Sequence, residues 1–356
     1  PTGSSKPTTP ALTTPAPTDA AAKHVTRMID SGVIYTSHPN IALHCWYTMP
    51  LESNSSVKGS IALYVERYGC ALPVDIVHAI TRSLFQALAF IHAAGVIHAD
   101  VKPANILLAR GCSVLSDEIH VKLSDFGAAS LITDEDSDAC GTAYYCAPET
   151  YADEPITPAI DIWAAGATIY DMLTYEHLID IDDTETNYVL HRDMSSDDDV
   201  LDDYADDMDD DVIDEATLAH FARTDYDVLD DANDCSTGAS EDESVTERNM
   251  MIVCEKLFGR PPASTRAIFD FYDGNGQIEG VAYPIPRVEI VDLLLERHRL
   301  GDIEPVERIV EIANFIVSCM RYRPSDRVTA ADALKTGWLA VPQTPKRASA
   351  AAAALV

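Results

Sequence analysis

An α+β chain is predicted, and three observations predict it. Two β-rich runs, Ile41 to Met49 and Ser60 to Arg67, come early and are separated by the polar stretch 52–59. Pro73 to Ala94 then carries Ile76, Ile80, Leu84, Ala87, Leu88 and Ile91 at helical spacing and closes at Gly95. Beyond it, Ile106 to Leu108 and Val121 to Leu123 are short apolar stretches that read as strands, each next to a polar turn.

Taken in order, residues 1–22 are mostly Pro, Thr, Ser and Ala. They cannot bury enough apolar surface to offset ordering entropy, so a disordered leader is expected. A short helix is expected over Ala21 to Ser31, followed by Gly32 and the turn Ser37-His38-Pro39-Asn40. The two β-rich runs after that turn suggest an antiparallel pair. Residues 176–248 form an acidic insertion, expected to be disordered, with 27 acidic residues and two arginines up to Glu247. Helical sequence resumes at Met250 to Phe258, and 341–356 read as an untethered tail.

Charge and cysteine usage bound the partners. The net charge is −33 over 356 residues, of which about −25 sits in the insertion. No basic face is available to neutralise phosphates, which argues against nucleic acid as a partner. The 47% hydrophobic content is that of a globular chain, and the eight cysteines never form C-x-x-C. Free thiols in an intracellular compartment, cytoplasm or nucleus, are expected. No run approaches the roughly 18 apolar residues of a membrane span, so no membrane partner is expected. The N-terminus lacks an apolar signal core and an initiator Met, which suggests a fragment or processed form. Asp273, Asn275 and Gly276 imitate part of a calcium loop, but Phe271 and Ala282 occupy its end-ligand positions. A solvent loop is expected there.

The densest chemistry lies in Ile97 to Leu108, I-H-A-D-V-K-P-A-N-I-L-L. Asp100 can accept a proton from an attacking hydroxyl, Lys102 can neutralise a phosphoryl oxygen, and Asn105 can offer an amide oxygen to a metal. Ser124-Asp125-Phe126-Gly127 follows 25 residues after Asp100, counted to Asp125. Asp125 with Asn105 supplies the oxygen pair that a hard divalent cation needs. Then come Gly141-Thr142-Ala143-Tyr144-Tyr145-Cys146-Ala147-Pro148-Glu149, Asp161-Ile162-Trp163, and finally Arg321 to Ala330.

This ordered set resembles the eukaryotic protein kinases of serine/threonine type. The resemblance implies a bilobal protein-kinase-like fold, with a mainly helical large lobe and a partial β-rich small lobe. Small lobe and hinge would occupy 23–70, and the large lobe 71–175 and 249–340. It implies transfer of the ATP γ-phosphoryl group to protein Ser or Thr, with Mg2+ held by Asn105 and Asp125. Asp100 would be the catalytic base and Lys102 would stabilise the moving phosphoryl. Lys102, Asn105, Leu107 and Asp125, with Glu66 and Tyr68 of a hinge at Val65 to Tyr68, would bind the nucleotide. Thr142 would shape the peptide groove, and relatives that carry Lys at the Lys102 position and Thr at the Thr142 position act on Ser/Thr acceptors. His98, Phe126, Gly127, Glu149, Asp161 and Arg327 would be supports: Asp161 for the catalytic loop, and Arg327 as the ion-pair partner of Glu149. The H-P-N turn resembles the link between the small-lobe helix and its fourth strand.

The chain departs from the family at two places. No Gly-rich loop or strand lysine is visible, since Lys6 and Lys23 are the only lysines ahead of the H-P-N turn, and Ile29 stands near the expected helix Glu. Strands missing from a fragment are the expected cause; the alternative is a catalytically inactive kinase-like scaffold that uses its acidic insertion for binding. Ala99 stands where many relatives carry Arg, so loop phosphorylation is not expected to be the switch. Basic substrate proteins docking on the insertion are a further expectation.

Overall fold

Helix α2, Val74–Ala93, is the central element of the fold, with Ile76, Val77, Ile80, Leu84, Phe85 and Leu88 almost wholly out of solvent. Burying each such side chain contributes about 1.5–3 kcal/mol against leaving it in water. The helix ends where Gly95, at φ 80°, lets the chain reverse. By length and composition α2 could cross a membrane, contrary to the expectation that no run approaches this, but 72% of its most apolar window is buried within the fold. It is a core helix.

The structure, a computed structural model, describes residues 22–26, 30–34, 44–48, 56–116, 118–134, 141–151, 156–179, 241–335 and 337–340, with backbone alone for 30–34, 44–48 and 241–245. The H-P-N turn, most of the leader, the tail and most of the acidic insertion lie outside these residues.

Among the described residues, strands pair two by two. β1 (Asp30–Ile34) runs antiparallel to β2 (His44–Thr48), with Asp30 opposite Thr48 and Ile34 opposite His44. β3 (Val96–Ile97) pairs with β6 (Ser130–Leu131), and β4 (Ile106–Leu108) with β5 (Val121–Leu123), all antiparallel. Val25 adds a parallel bridge to Leu123 on the other edge of β5.

Three local expectations are corrected. Ser60 to Arg67 is not a strand but most of helix α1, Val57–Tyr68. Val57, Ile61 and Tyr64, at offsets of four and seven, form its buried face; Ser56 caps it by accepting the Gly59 N–H, and Gly69 ends it at φ 65°. The proposed pair of Ile41 to Met49 with Ser60 to Arg67 therefore does not form, and β2 pairs with β1 instead. Nor does one helix run from Ala21 to Ser31: Val25 bridges β5, and Asp30 and Ser31 belong to β1. The H-P-N turn accordingly falls between two paired strands rather than between a helix and a strand.

The remaining helices pack beneath α2. α3 (Ala159–Thr174) is buried almost throughout, and α5 (Val306–Cys319) lies against it. Gly166 permits this approach, since a Cβ there would stand 2.7 Å from Met320 Cγ. Contrary to the expectation of disorder through 248, α4 (Glu241–Phe258) begins inside the insertion, and it brings Phe258 against Trp163. In the loop beyond it, Asp273 Oδ1 accepts the N–H groups of Asn275 and Gln277, closing a turn.

Candidate active site

Two ladders bring the polar turns together. β3 pairing with β6 and β4 pairing with β5 place residues 98–105 beside 124–127. Ser124 joins them, its N–H and its hydroxyl both donating to the Asn105 carbonyl at 2.9 and 2.8 Å. His98, fully buried, donates from Nε2 to the Ser124 carbonyl at 2.8 Å. Its Nδ1 is then free to accept the Asp100 N–H at 3.3 Å, and its ring meets the Phe126 ring edge-on at 4.8 Å.

The Asp100 carboxylate is fixed from several sides. Oδ1 accepts the Thr142 N–H at 3.2 Å and its hydroxyl at 3.0 Å. Oδ2 accepts Asn105 Nδ2 at 2.8 Å and stands 3.4 Å from Lys102 Nζ. Lys102 also donates to the Thr142 hydroxyl at 2.7 Å. Asn105 Nδ2 further donates to the Asp100 carbonyl at 2.8 Å, which commits the amide's donors and leaves its oxygen for another partner. Gly141 has no Cβ to strike the Ala99 carbonyl, allowing the segment to cross the loop closely. Cys146 donates to the Thr142 carbonyl at 3.4 Å, and burial pushes its thiol up to about 12.

Asp125 is exposed, takes the left-handed conformation at φ 59°, and accepts the Gly127 N–H on Oδ1 at 3.2 Å. Gly127 sits close because a Cβ there would lie 3.1 Å from that oxygen. The Asn105 oxygen and the Asp125 carboxylate are hard donors on adjoining turns, a set that suits a divalent cation with phosphate and water completing the shell. Leu107 alternates with the buried Ile106 and Leu108 along β4, and its backbone forms an antiparallel bridge with Ser56.

Asp161, Glu149 and Arg327 make further contacts around these turns. Asp161 Oδ2 accepts the His98 N–H at 2.9 Å and Oδ1 the Ala99 N–H at 2.8 Å. Arg327, its side chain fully buried, meets Glu149 in a fork at 2.5 and 2.7 Å and lies over the Trp163 ring at 5.0 Å.

Glu66 and Tyr68 do not stand as a hinge. Both lie in the last turns of α1, where helical bonding uses their backbone N–H groups, and Tyr68 packs on Tyr64 at 4.6 Å. Between β2 and α1 the chain runs through residues 49–55, outside those described.

Two participants escaped the sequence. His92, in the last turn of α2, binds Asp161 Oδ2 through Nε2 at 2.8 Å; a lone histidine 69 residues from its partner carries no local signal. His177 packs on Tyr144 and bonds Asp171, again outside any motif.

Comparison with known proteins agrees with this geometry. The family model described as protein kinase domain matches residues 44–339. The serine/threonine-protein kinase RUNKEL of Arabidopsis thaliana is 33% identical over 148 residues, which is 39% of this chain and 10% of that protein. The human 3-phosphoinositide-dependent protein kinase 1 is 30% identical over 120 residues, 32% of this chain and 20% of that protein. Cell division control protein 7 of Schizosaccharomyces pombe is 33% identical over 145 residues, 38% and 13% respectively. These matches span a fifth or less of each relative's length. The family match, by contrast, takes in most of the chain and all of the residues gathered here: this chain belongs to the protein kinase family.

Proposed function

We propose that this chain is a protein serine/threonine kinase that transfers the γ-phosphoryl group of ATP to Ser or Thr side chains of proteins. The observation that carries this reading is the setting of Asp100. Its carboxylate is held by Thr142 and Asn105 with Lys102 beside it, so a base and a cation are fixed against the same small space. In the proposed reaction Asp100 orients the acceptor hydroxyl and takes its proton as the oxygen attacks phosphorus. Lys102 Nζ, steadied by Thr142, balances negative charge on the phosphoryl oxygens in flight. Asn105 and Asp125 would hold Mg2+, which when bound offsets the charge of the phosphates. Leu107 would supply apolar surface under the nucleotide. The Lys102–Thr142 pair supports Ser and Thr as acceptors.

Basic protein substrates attracted by the acidic insertion belong to the same proposal, as does an intracellular setting. Among the described residues, Cys70, Cys112, Cys146, Cys254 and Cys319 are free thiols.

The test is transfer of labelled γ-phosphate from ATP with Mg2+ to a Ser/Thr peptide library by the full chain. Asp100→Asn should lower the rate by about 100-fold or more. The alternative reading is a catalytically inactive kinase-like scaffold that uses the acidic insertion for binding. A wild-type chain that binds no nucleotide, with or without Mg2+, would decide for that role.

A further inference from the structure

We infer that His177 is a positioning residue for the peptide acceptor, setting the turn that follows Thr142; this rests on the kinase reading above. The chain is pinned on both sides of it. Helix α3 ends at Tyr175, φ 59°, whose N–H returns to the Asp171 carbonyl at 2.8 Å. The Thr174 hydroxyl accepts the Glu176 N–H at 3.2 Å, and Leu178 and Ile179 are buried just beyond.

Held this way, the His177 ring stacks on Tyr144 at 4.3 Å with an interplanar angle of 19° and meets Tyr145 edge-on at 5.8 Å. Its Nδ1 bonds Asp171 Oδ2 at 3.0 Å, and the same oxygen accepts the Tyr145 hydroxyl at 2.5 Å. Asp171 is only 7% exposed, and a carboxylate so placed is costly unless donors surround it. Both tyrosines belong to the turn Ala143–Tyr145, which begins directly after the residue that holds Asp100 and Lys102. His177 thus ties the end of α3 to the wall of the proposed acceptor groove through a ring stack and a shared carboxylate. Without it the turn can pivot about Thr142, and an acceptor peptide meets a wall in the wrong place. Asn105, Leu107 and Asp125, proposed for the nucleotide side, belong instead to β4 and the two turns beside it.

The test is steady-state phosphotransfer by the full chain, with ATP and peptide concentrations varied separately and the peptide taken from the Ser/Thr library. His177→Ala should raise the peptide KM by about tenfold while the KM for ATP stays within about twofold, the signature of lost acceptor positioning. His177→Phe keeps the stack and His177→Gln keeps a donor for Asp171; each should fall between wild type and alanine, and they serve if the alanine variant does not fold. An unchanged peptide KM, or equal shifts in both KM values, overturns the inference while the kinase reading stands. No phosphotransfer by the wild-type chain overturns both.

Discussion

Asp161 holds Ala99 in a conformation that alanine avoids. The Ala99 N–H donates to Asp161 Oδ1 at 2.8 Å while its backbone stands at φ 65°, a left-handed placement costing roughly 1–2 kcal/mol for a residue with a Cβ. That turn aims Asp100 at Thr142, so the carboxylate buried in α3 keeps the catalytic loop in its strained form. Asp161→Asn removes the charge and replaces one acceptor with a donor facing an N–H. It should destabilise the fold by about 1.5–3 kcal/mol, as expected for hydrogen bonds to a charged group. Ala99→Gly in the same background should recover about 1 kcal/mol by removing the strain. Urea denaturation of the two single variants and the double variant measures this, and a glycine that recovers nothing would show that the turn is unstrained.

The Glu149–Arg327 fork predicts a larger loss. Arg327 also donates to the carbonyls of Arg321, Tyr322 and Ala159, so one side chain ties the end of the acceptor segment, the start of α3 and the loop after α5. Arg327→Ala strands the Glu149 carboxylate and should cost about 3–5 kcal/mol. Replacing both residues with apolar ones should cost less than Arg327→Ala alone, because no unpaired charge is left behind. Denaturant midpoints of the three proteins report it.

Acid should weaken the fold between pH 6.5 and about 4. Burial holds His24 and His298 down at about 4 from an ordinary 6.5 and depresses His78 as well, with nearby cations adding to each. All three favour the neutral form when folded, so their contribution is complete above 6.5 and is lost as pH falls toward the folded values. Glu255, whose carboxyl burial pushes up, opposes this at the acid end. His24→Leu should flatten the fall in urea midpoint from pH 7 to pH 5. A slope unchanged in that variant would mean His24 titrates normally.

The catalytic turns could be read from the chain because their residues lie close in sequence and their roles depend on short offsets. Asp100, Lys102 and Asn105 span six positions, and the Ser124 bonds to Asn105 follow from the short ladder between β4 and β5. Asp161 and Arg327 act over long distances, yet they lie in strings distinctive enough to recognise. His92 and His177 do not: each depends on a contact made only after α2 and α3 are packed. The misplaced hinge has a different cause. Ile61, Leu63 and Val65 alternate as in a strand, and that period outweighed the competing helical face of Val57, Ile61 and Tyr64. The cap at Ser56 and the stop at Gly69 were the signals that decide between them.

Thr142 separates the chemistry from the scaffold most sharply. Its hydroxyl donates to Asp100 and accepts from Lys102, whereas its backbone N–H makes a further bond to Asp100 that no substitution other than proline removes. Thr142→Val keeps the shape and the branched Cβ but deletes both hydroxyl bonds, leaving Asp100 and Lys102 free to close on each other. The rate of phosphotransfer should fall by about 10- to 100-fold, the scale of a mispositioned catalytic group, with nucleotide affinity unchanged. Thr142→Ser restores the hydroxyl and should recover most of the rate. Single-turnover transfer, alongside nucleotide titration, distinguishes this from a folding defect. A valine variant as fast as wild type would show that the Asp100–Lys102 geometry does not depend on the hydroxyl between them.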